Sequence, residues 1–145
     1  MPIASTSVFA DTFGQGGSLP KTEEEWRQRL TAAQFRVLRQ QGTEPPFTSA
    51  LNDEKRVGTF CCSGCTAPLF PSVAKFNSGT GWPSFTYPLP QRVRAKQSLS
   101  DRLLLRKEVS CVRCGGHLGH VFEDGPPPTG LRYCINGVAL SFVAS

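Results

Sequence analysis

The 145-residue sequence predicts a mainly β (α+β) fold, with short helices near the N-terminus and antiparallel strands after them. Three observations carry that prediction. Fourteen Gly and twelve Pro cut the chain into pieces too short for long helices. Short apolar runs recur after Pro45-Pro46, closed by Gly, Pro or Asp as hairpin-connected strands require. Helix-start signatures, by contrast, stand together between Thr22 and Gln34. A hydrophobic content of 39% with 19% charged residues is that of a globular chain, at a length that suits one core.

Residues 1–20 are rich in Gly, Ser and Thr without an apolar period. They read as a flexible N-terminal tail, leaving 21–145 as a single domain. Thr22 with Glu25 forms a capping box, and Glu23 and Glu24 suit the positive end of a helix dipole. That predicts a helix over 23–30, burying Trp26 and Leu30 one turn apart. Thr31 with Gln34 repeats the signature, so a second helix should run through Gln40 and end at Gly42, with Phe35, Val37 and Leu38 inward. Strands are expected at 57–61, 67–70, 103–111, 117–122, 133–135 and 138–142. The polar stretch 92–101 reads as a mobile loop, and 125–130, with three prolines, as a stiff turn.

The formal charge is +5; four thiolates around one Zn²⁺ would bring it to +3. Basic residues are scattered, densest at Arg92, Arg94 and Lys96, which points to a solvated surface and no nucleic-acid partner. No apolar run approaches the ~20 residues of a membrane span. The first twenty residues hold no Lys or Arg, so no secretory or transit signal is visible. Four of the six Cys fall in Cys-x-x-Cys pairs, a layout for metal in preference to a disulfide framework. A cytoplasmic monomer is expected.

Cys62-x-x-Cys65 and Cys111-x-x-Cys114 are separated by residues 66–110. Each turn can give two thiolates to one tetrahedral Zn²⁺, and the small residues after each knuckle let backbone N–H groups face the sulfurs. One pair alone would leave a redox-active dithiol open; two pairs point to zinc. With four protein ligands no position remains for water, which excludes a zinc hydrolase and makes the ion structural. The long gap implies that zinc ties distant strand ends together, unlike a compact zinc-ribbon binding module.

Cys61 and Cys134 remain. Arg132, Cys134 and Asn136 alternate, so a strand would set them on one face, where the cation should favour the thiolate. A half-buried Cys on an edge strand explains that segment equally well. The only histidines, His117 and His120, are three apart and would point to opposite faces unless a bulge at Gly119 brought them together. Histidine is the natural proton donor near neutral pH. Residues 78–85 are Gly-rich but lack a following helix or Lys, so no nucleotide cradle is implied. Their Trp82 is either a rigidly held surface indole or core.

These segments together resemble the methionine sulfoxide reductase B family, whose members reduce the R epimer of methionine sulfoxide. The likeness covers 22–142. Its carriers are Gly42-Thr43-Glu44-Pro45-Pro46-Phe47, both Cys-x-x-Cys pairs, Pro68-Leu69-Phe70 and the run from Lys75 to Phe85. The run from His117 to Pro126 and Arg132-Tyr133-Cys134-Ile135-Asn136 complete them. The resemblance implies two antiparallel β-sheets with the N-terminal helices packed at one side. It implies Cys134 as the attacking thiol, Trp82 and Phe122 as substrate-binding residues, and His117, His120, Asp124, Arg132 and Asn136 as a polar shell. Thiolate attack on the sulfoxide sulfur, with protons from His120 helped by His117, would release methionine and leave a Cys134 sulfenic acid. Thr80 stands where many members of that family carry a resolving Cys. Cys61 is the one spare thiol, either a candidate resolver or passive; otherwise thioredoxin or a small thiol would regenerate the enzyme. Oxidised proteins would be the substrates.

Overall fold

A computed structural model describes residues 18–145. Most of the expected tail, residues 1–17, lies outside the described residues. Both capping boxes form. Helix α1 (Glu23–Arg29) starts at Thr22, whose Oγ1 accepts from the Glu25 N–H at 3.1 Å while the Glu25 carboxylate accepts from the Thr22 N–H. Helix α2 (Ala32–Gln40) starts the same way at Thr31 with Gln34. Trp26, Leu30, Phe35, Val37 and Leu38 are all buried, as their spacing predicts. The end of α2 differs from expectation. Gln41, not Gly42, takes the left-handed conformation (φ 56°). Gly42 is needed for approach instead: its N–H donates to the Arg36 carbonyl at 2.9 Å, and a Cβ there would lie 2.8 Å from that oxygen.

The strands are β1 (Gly58–Cys62), β2 (Pro68–Pro71), β3 (Lys75–Phe76), β4 (Ser84–Phe85), β5 (Val93–Lys96), β6 (Arg106–Cys111), β7 (His117–Phe122), β8 (Arg132–Ile135) and β9 (Leu140–Ala144), with helix α3 (Leu99–Leu103) between β5 and β6. They build two antiparallel sheets. One has three strands in the order β9-β1-β2, the other six in the order β3-β4-β8-β7-β6-β5. The fold is therefore mainly β, with two sheets. Phe60 of β1, Phe70 of β2 and Phe85 of β4 join them: Phe70 stacks on Phe85 at 4.4 Å, and Phe60 meets Phe85 edge-on at 5.0 Å. All three rings are fully buried, so the sheet-to-sheet seam is aromatic.

Residues 92–101 are not a loop. β5 pairs with β6 from Val93↔Cys111 to Lys96↔Glu108, and Ser98 then caps α3 through a box with Asp101. β5 is an edge strand, where charged side chains such as Arg94 and Lys96 face water and suppress the apolar alternation used to find strands. The expected strand at 103–111 starts only at Arg106, because Leu103 ends α3 and Leu105 adopts a left-handed turn (φ 55°). The turn at 125–130 forms as expected, closed by Gly125 N–H to the Gly130 carbonyl at 2.9 Å. No described helix is long and apolar enough to cross a membrane.

Candidate functional site

The two Cys-x-x-Cys turns are built alike. In each, the residue after the second Cys bonds back to the first: Thr66 N–H to the Cys62 carbonyl and Gly115 N–H to the Cys111 carbonyl, both at 2.8 Å. Those residues are both left-handed, with φ 69° at Thr66 and 75° at Gly115. All four sulfurs lie within 4.8 Å of one another, with Cys65–Cys111 at 3.5 Å and Cys62–Cys114 at 3.7 Å. Metal–sulfur bonds of about 2.3 Å in a tetrahedron separate sulfurs by about 3.8 Å, so the set fits one tetrahedral ion. Gly64 N–H points at the Cys62 sulfur at 3.3 Å, support for a charged thiolate. The helices brace the turns: Leu38 packs on Gly116, and Arg39 Nη1 donates to the Cys114 carbonyl at 2.9 Å.

The other constellation lies on one face of the six-stranded sheet. Cys134 of β8 is paired directly with His120 of β7 on one side and Ser84 of β4 on the other. Arg132 pairs with Phe122, and on β6 Glu108 and Arg106 pair with His120 and Phe122. Directly opposed residues share a face, so these side chains converge. His117 joins them through a bulge. Val109 pairs with Gly119 but Ser110 with His117, which leaves Leu118 as the extra residue and returns His117 to the face of His120. The rings meet edge-on at 5.3 Å. Gly119 serves a different need from the one expected: a side chain there would collide with the Cys134 carbonyl of the neighbouring strand.

Each histidine has an acid behind it. His117 Nδ1 lies 2.8 Å from Glu108 Oε2, while its buried Nε2 has no partner among the described residues. His120 Nε2 is 3.9 Å from Asp101 Oδ1, which accepts from Arg106 Nε at 3.0 Å. Asp101, Arg106, Glu108, His117 and His120 line a cavity of about 400 Å³. Burial, aided by Arg106 and His117, pushes the His120 imidazole down to about 4 against the pull of Asp101 and Glu108. Burial also raises the Asp101 carboxyl, but Arg106 and Ser98 prevail and hold it below the usual carboxylate range.

Arg132 pulls Cys134 toward thiolate as expected, but the pull is outweighed. Burial pushes that thiol up, and the downward pulls of Thr80 and Arg132 do not offset it. Arg132 itself is held bidentate by Asp124, at 2.9 and 3.1 Å, and lies over the Phe122 ring at 4.2 Å. Asn136 also departs from the shared face, since β8 stops at Ile135. Its buried amide accepts from Glu44 N–H at 2.8 Å and donates to the Leu118 carbonyl at 2.9 Å. Glu44 in turn accepts the Trp82 Nε1–H at 2.9 Å on its carbonyl, which fixes the half-buried indole in the 78–85 segment. Cys61 lies in the other sheet, 3% exposed, its sulfur against the Thr59 carbonyl and its thiol pushed up to about 11 by burial.

Residues 30–144 match the SelR domain. The chain is 52% identical over 122 residues to a peptide methionine sulfoxide reductase MsrB of Leptospira interrogans, covering 84% of this chain and 93% of that relative. It is 47% identical over 140 residues to the one from Bradyrhizobium diazoefficiens, covering 97% and 96%. For Methanosarcina barkeri the identity is 54% over 126 residues, covering 86% and 88%.

The chain belongs to the MsrB family.

In this MsrB-family chain, sequence reading overlooked four residues that shape the site: Glu44, Asp101, Arg106 and Glu108. Arg106, Glu108 and Ser110 alternate along β6, and that period of two was a usable signal for a polar face. Asp101 was marked by the Ser98-x-x-Asp101 capping box. Glu44 stood in the Gly42–Phe47 motif with no role attached to it. It is 3% exposed, with Oε1 accepting from Val138 N–H at 2.9 Å, a tie across 94 residues that local spacing does not reveal.

Proposed function

We propose that this MsrB-family protein reduces the R epimer of methionine sulfoxide in oxidised polypeptides, with Cys134 as nucleophile and an external thiol as reductant. The direct pairing of Cys134 with His120 across β7 and β8 carries the reading. The names of its relatives supply the substrate class.

At neutral pH the raised Cys134 group rests as a thiol and His120 as a neutral imidazole. A pre-charged His120 acid is therefore not the starting state. As the sulfur attacks, His120 takes the thiol proton and passes it to the sulfoxide oxygen, with the His117 ring, held at Nδ1 by Glu108, edge-on beside it. The sulfoxide sulfur gains two electrons and leaves as methionine. The Cys134 sulfur loses two and ends with the oxygen as a sulfenic acid. Two thiol groups, from thioredoxin or a small thiol, then return Cys134 to the thiol with release of water and a disulfide. Trp82 lies against the substrate methyl, and Phe122 with the Arg132–Asp124 pair forms the adjacent wall. Cys61, sealed in the other sheet, stays passive. Zinc would be held by Cys62, Cys65, Cys111 and Cys114 and supply charge neutralisation and cross-linking only. Such a cycle suits a reducing, cytoplasmic setting.

Turnover with dithiothreitol and the separate epimers of a blocked methionine sulfoxide tests this. The R epimer should be consumed and the S epimer left, and Cys134→Ser should remove activity. His120→Ala should slow the chemical step at saturating substrate by about 10²-fold or more. An unchanged rate would take His120 out of the proton path. After one turnover without reductant, mass spectrometry should find one added oxygen on Cys134; a Cys61–Cys134 disulfide would overturn the passive role of Cys61.

A further inference from the structure

Beside Cys134 runs a chain of hydroxyl groups that the mechanism above does not use. Thr80 Oγ1 lies 3.9 Å from Cys134 Sγ, Ser78 Oγ lies 2.8 Å from Thr80 Oγ1, and Ser84 Oγ lies 2.7 Å from Ser78 Oγ. The chain ends where Ser84 Oγ donates to the Trp82 carbonyl at 3.0 Å. That far end dictates the order of the protons. A carbonyl only accepts, so Ser84 must give it its one proton. Ser78 must then donate to Ser84, and Thr80 to Ser78. Only a lone pair of Thr80 is left for Cys134, whose S–H fills the last contact. Four protons serve four contacts, all pointing away from the sulfur.

Because the chain closes on a carbonyl, it cannot carry the thiol proton away; that proton must leave toward His120. Once the sulfur is charged it can only accept. Three protons then remain for four contacts, and one internal bond must open for Thr80 to turn its proton onto the sulfur. Ser78 is suited to that loss, since it also accepts the Thr80 backbone N–H at 3.4 Å. The bond gained is charge-assisted and stronger than the neutral one given up.

We propose that Thr80 is a positioning residue for Cys134, holding the sulfur through this ordered hydroxyl chain and turning its own proton onto the sulfur at ionisation. The inference rests on Cys134 as the nucleophile and adds a residue that tunes it. The Thr80 contact acts downward on the Cys134 thiol, in line with this role. The charged and titratable groups facing that sulfur are Arg132 of β8 with its partner Asp124, which follows β7, and His120 from β7, backed by His117 and Glu108; the β4 side offers hydroxyls only.

The chain makes two changes act in opposite directions. Thr80→Val keeps the shape but removes the donor, so ionisation becomes harder. Ser84→Ala removes the acceptor that holds the order in place, freeing Ser78 to donate to Thr80 and Thr80 to donate to the sulfur, so ionisation becomes easier. The pH dependence of iodoacetamide alkylation, followed at the Cys134 peptide by mass spectrometry on metal-loaded enzyme, reads both. Thr80→Val should raise the apparent pKa by about one unit and slow alkylation near neutral pH about tenfold. Thr80→Ser should restore the wild-type curve, and Ser84→Ala should shift it the other way. An unmoved curve in Thr80→Val, or a Ser84→Ala shift in the same direction as Thr80→Val, would overturn the proposal. No sulfoxide is present in this measurement, so its outcome is independent of whether Cys134→Ser abolishes turnover.

Discussion

At Cys134 and His120, burial acts on two groups of opposite charge type and leaves both neutral. The thiol is pushed up and the imidazole down to about 4, because a partly dry site penalises an anion and a cation alike. This has a consequence for stability. The unfolded chain protonates His120 near its ordinary value of 6.5, while the folded chain resists until about 4. The stabilisation is thus complete above about pH 6.5 and is lost as the pH falls through about 4. A gap of that size corresponds to up to about 3 kcal/mol. Denaturant midpoints followed from neutral to acidic pH should therefore fall more steeply for the wild type than for His120→Asn; parallel curves would contradict the buried, neutral imidazole. The residue types and their alternation were legible beforehand. The sign of the Cys134 shift was not, since Asp124 and the packing around the sulfur lie outside the triplet Arg132, Cys134 and Asn136.

Among the elements, the metal turns show most directly how local sequence becomes geometry. Thr66 and Gly115 occupy equivalent left-handed positions, one with a β-branched side chain and one with none. A Cβ at Gly115 would meet nothing within 4 Å, so any cost of adding one is conformational. Gly115→Ala should lower the stability of the metal-loaded protein by about 1 kcal/mol, seen as a drop in the denaturant midpoint. No loss would mean that the turn relaxes freely. The β7 bulge is a second case. Gly119 drew attention as the bulge site, yet the extra residue is Leu118, and Gly119 marks the close passage of β8. β5 escaped notice because an edge strand exposed to water has no reason to alternate.

Across the whole molecule, the four-cysteine cluster links ends of both sheets. Cys62 and Cys65 flank the β1–β2 turn, Cys111 and Cys114 the β6–β7 turn, and His117 follows three residues after Cys114. Folded protein should carry one zinc per chain by elemental analysis, with the zinc thiols protected from thiol reagents. Stripping it with a strong chelator should destabilise the fold by several kcal/mol and remove activity through displacement of His117. A metal-free protein with an unchanged melting temperature would show that the four cysteines hold together without an ion.

Motif spacing alone determined that four cysteines form one cluster, where both leading helices start and that the fold is mainly β, because each is written in neighbouring residues or a short period. Tertiary structure alone decided that Asn136 clamps Glu44 and Leu118, that Asp101 and Glu108 back the histidines, that Cys61 is sealed away in the other sheet, and that Cys134 and His120 rest uncharged. Desolvation and strand register depend on what packs from elsewhere in the chain, and no local pattern encodes them.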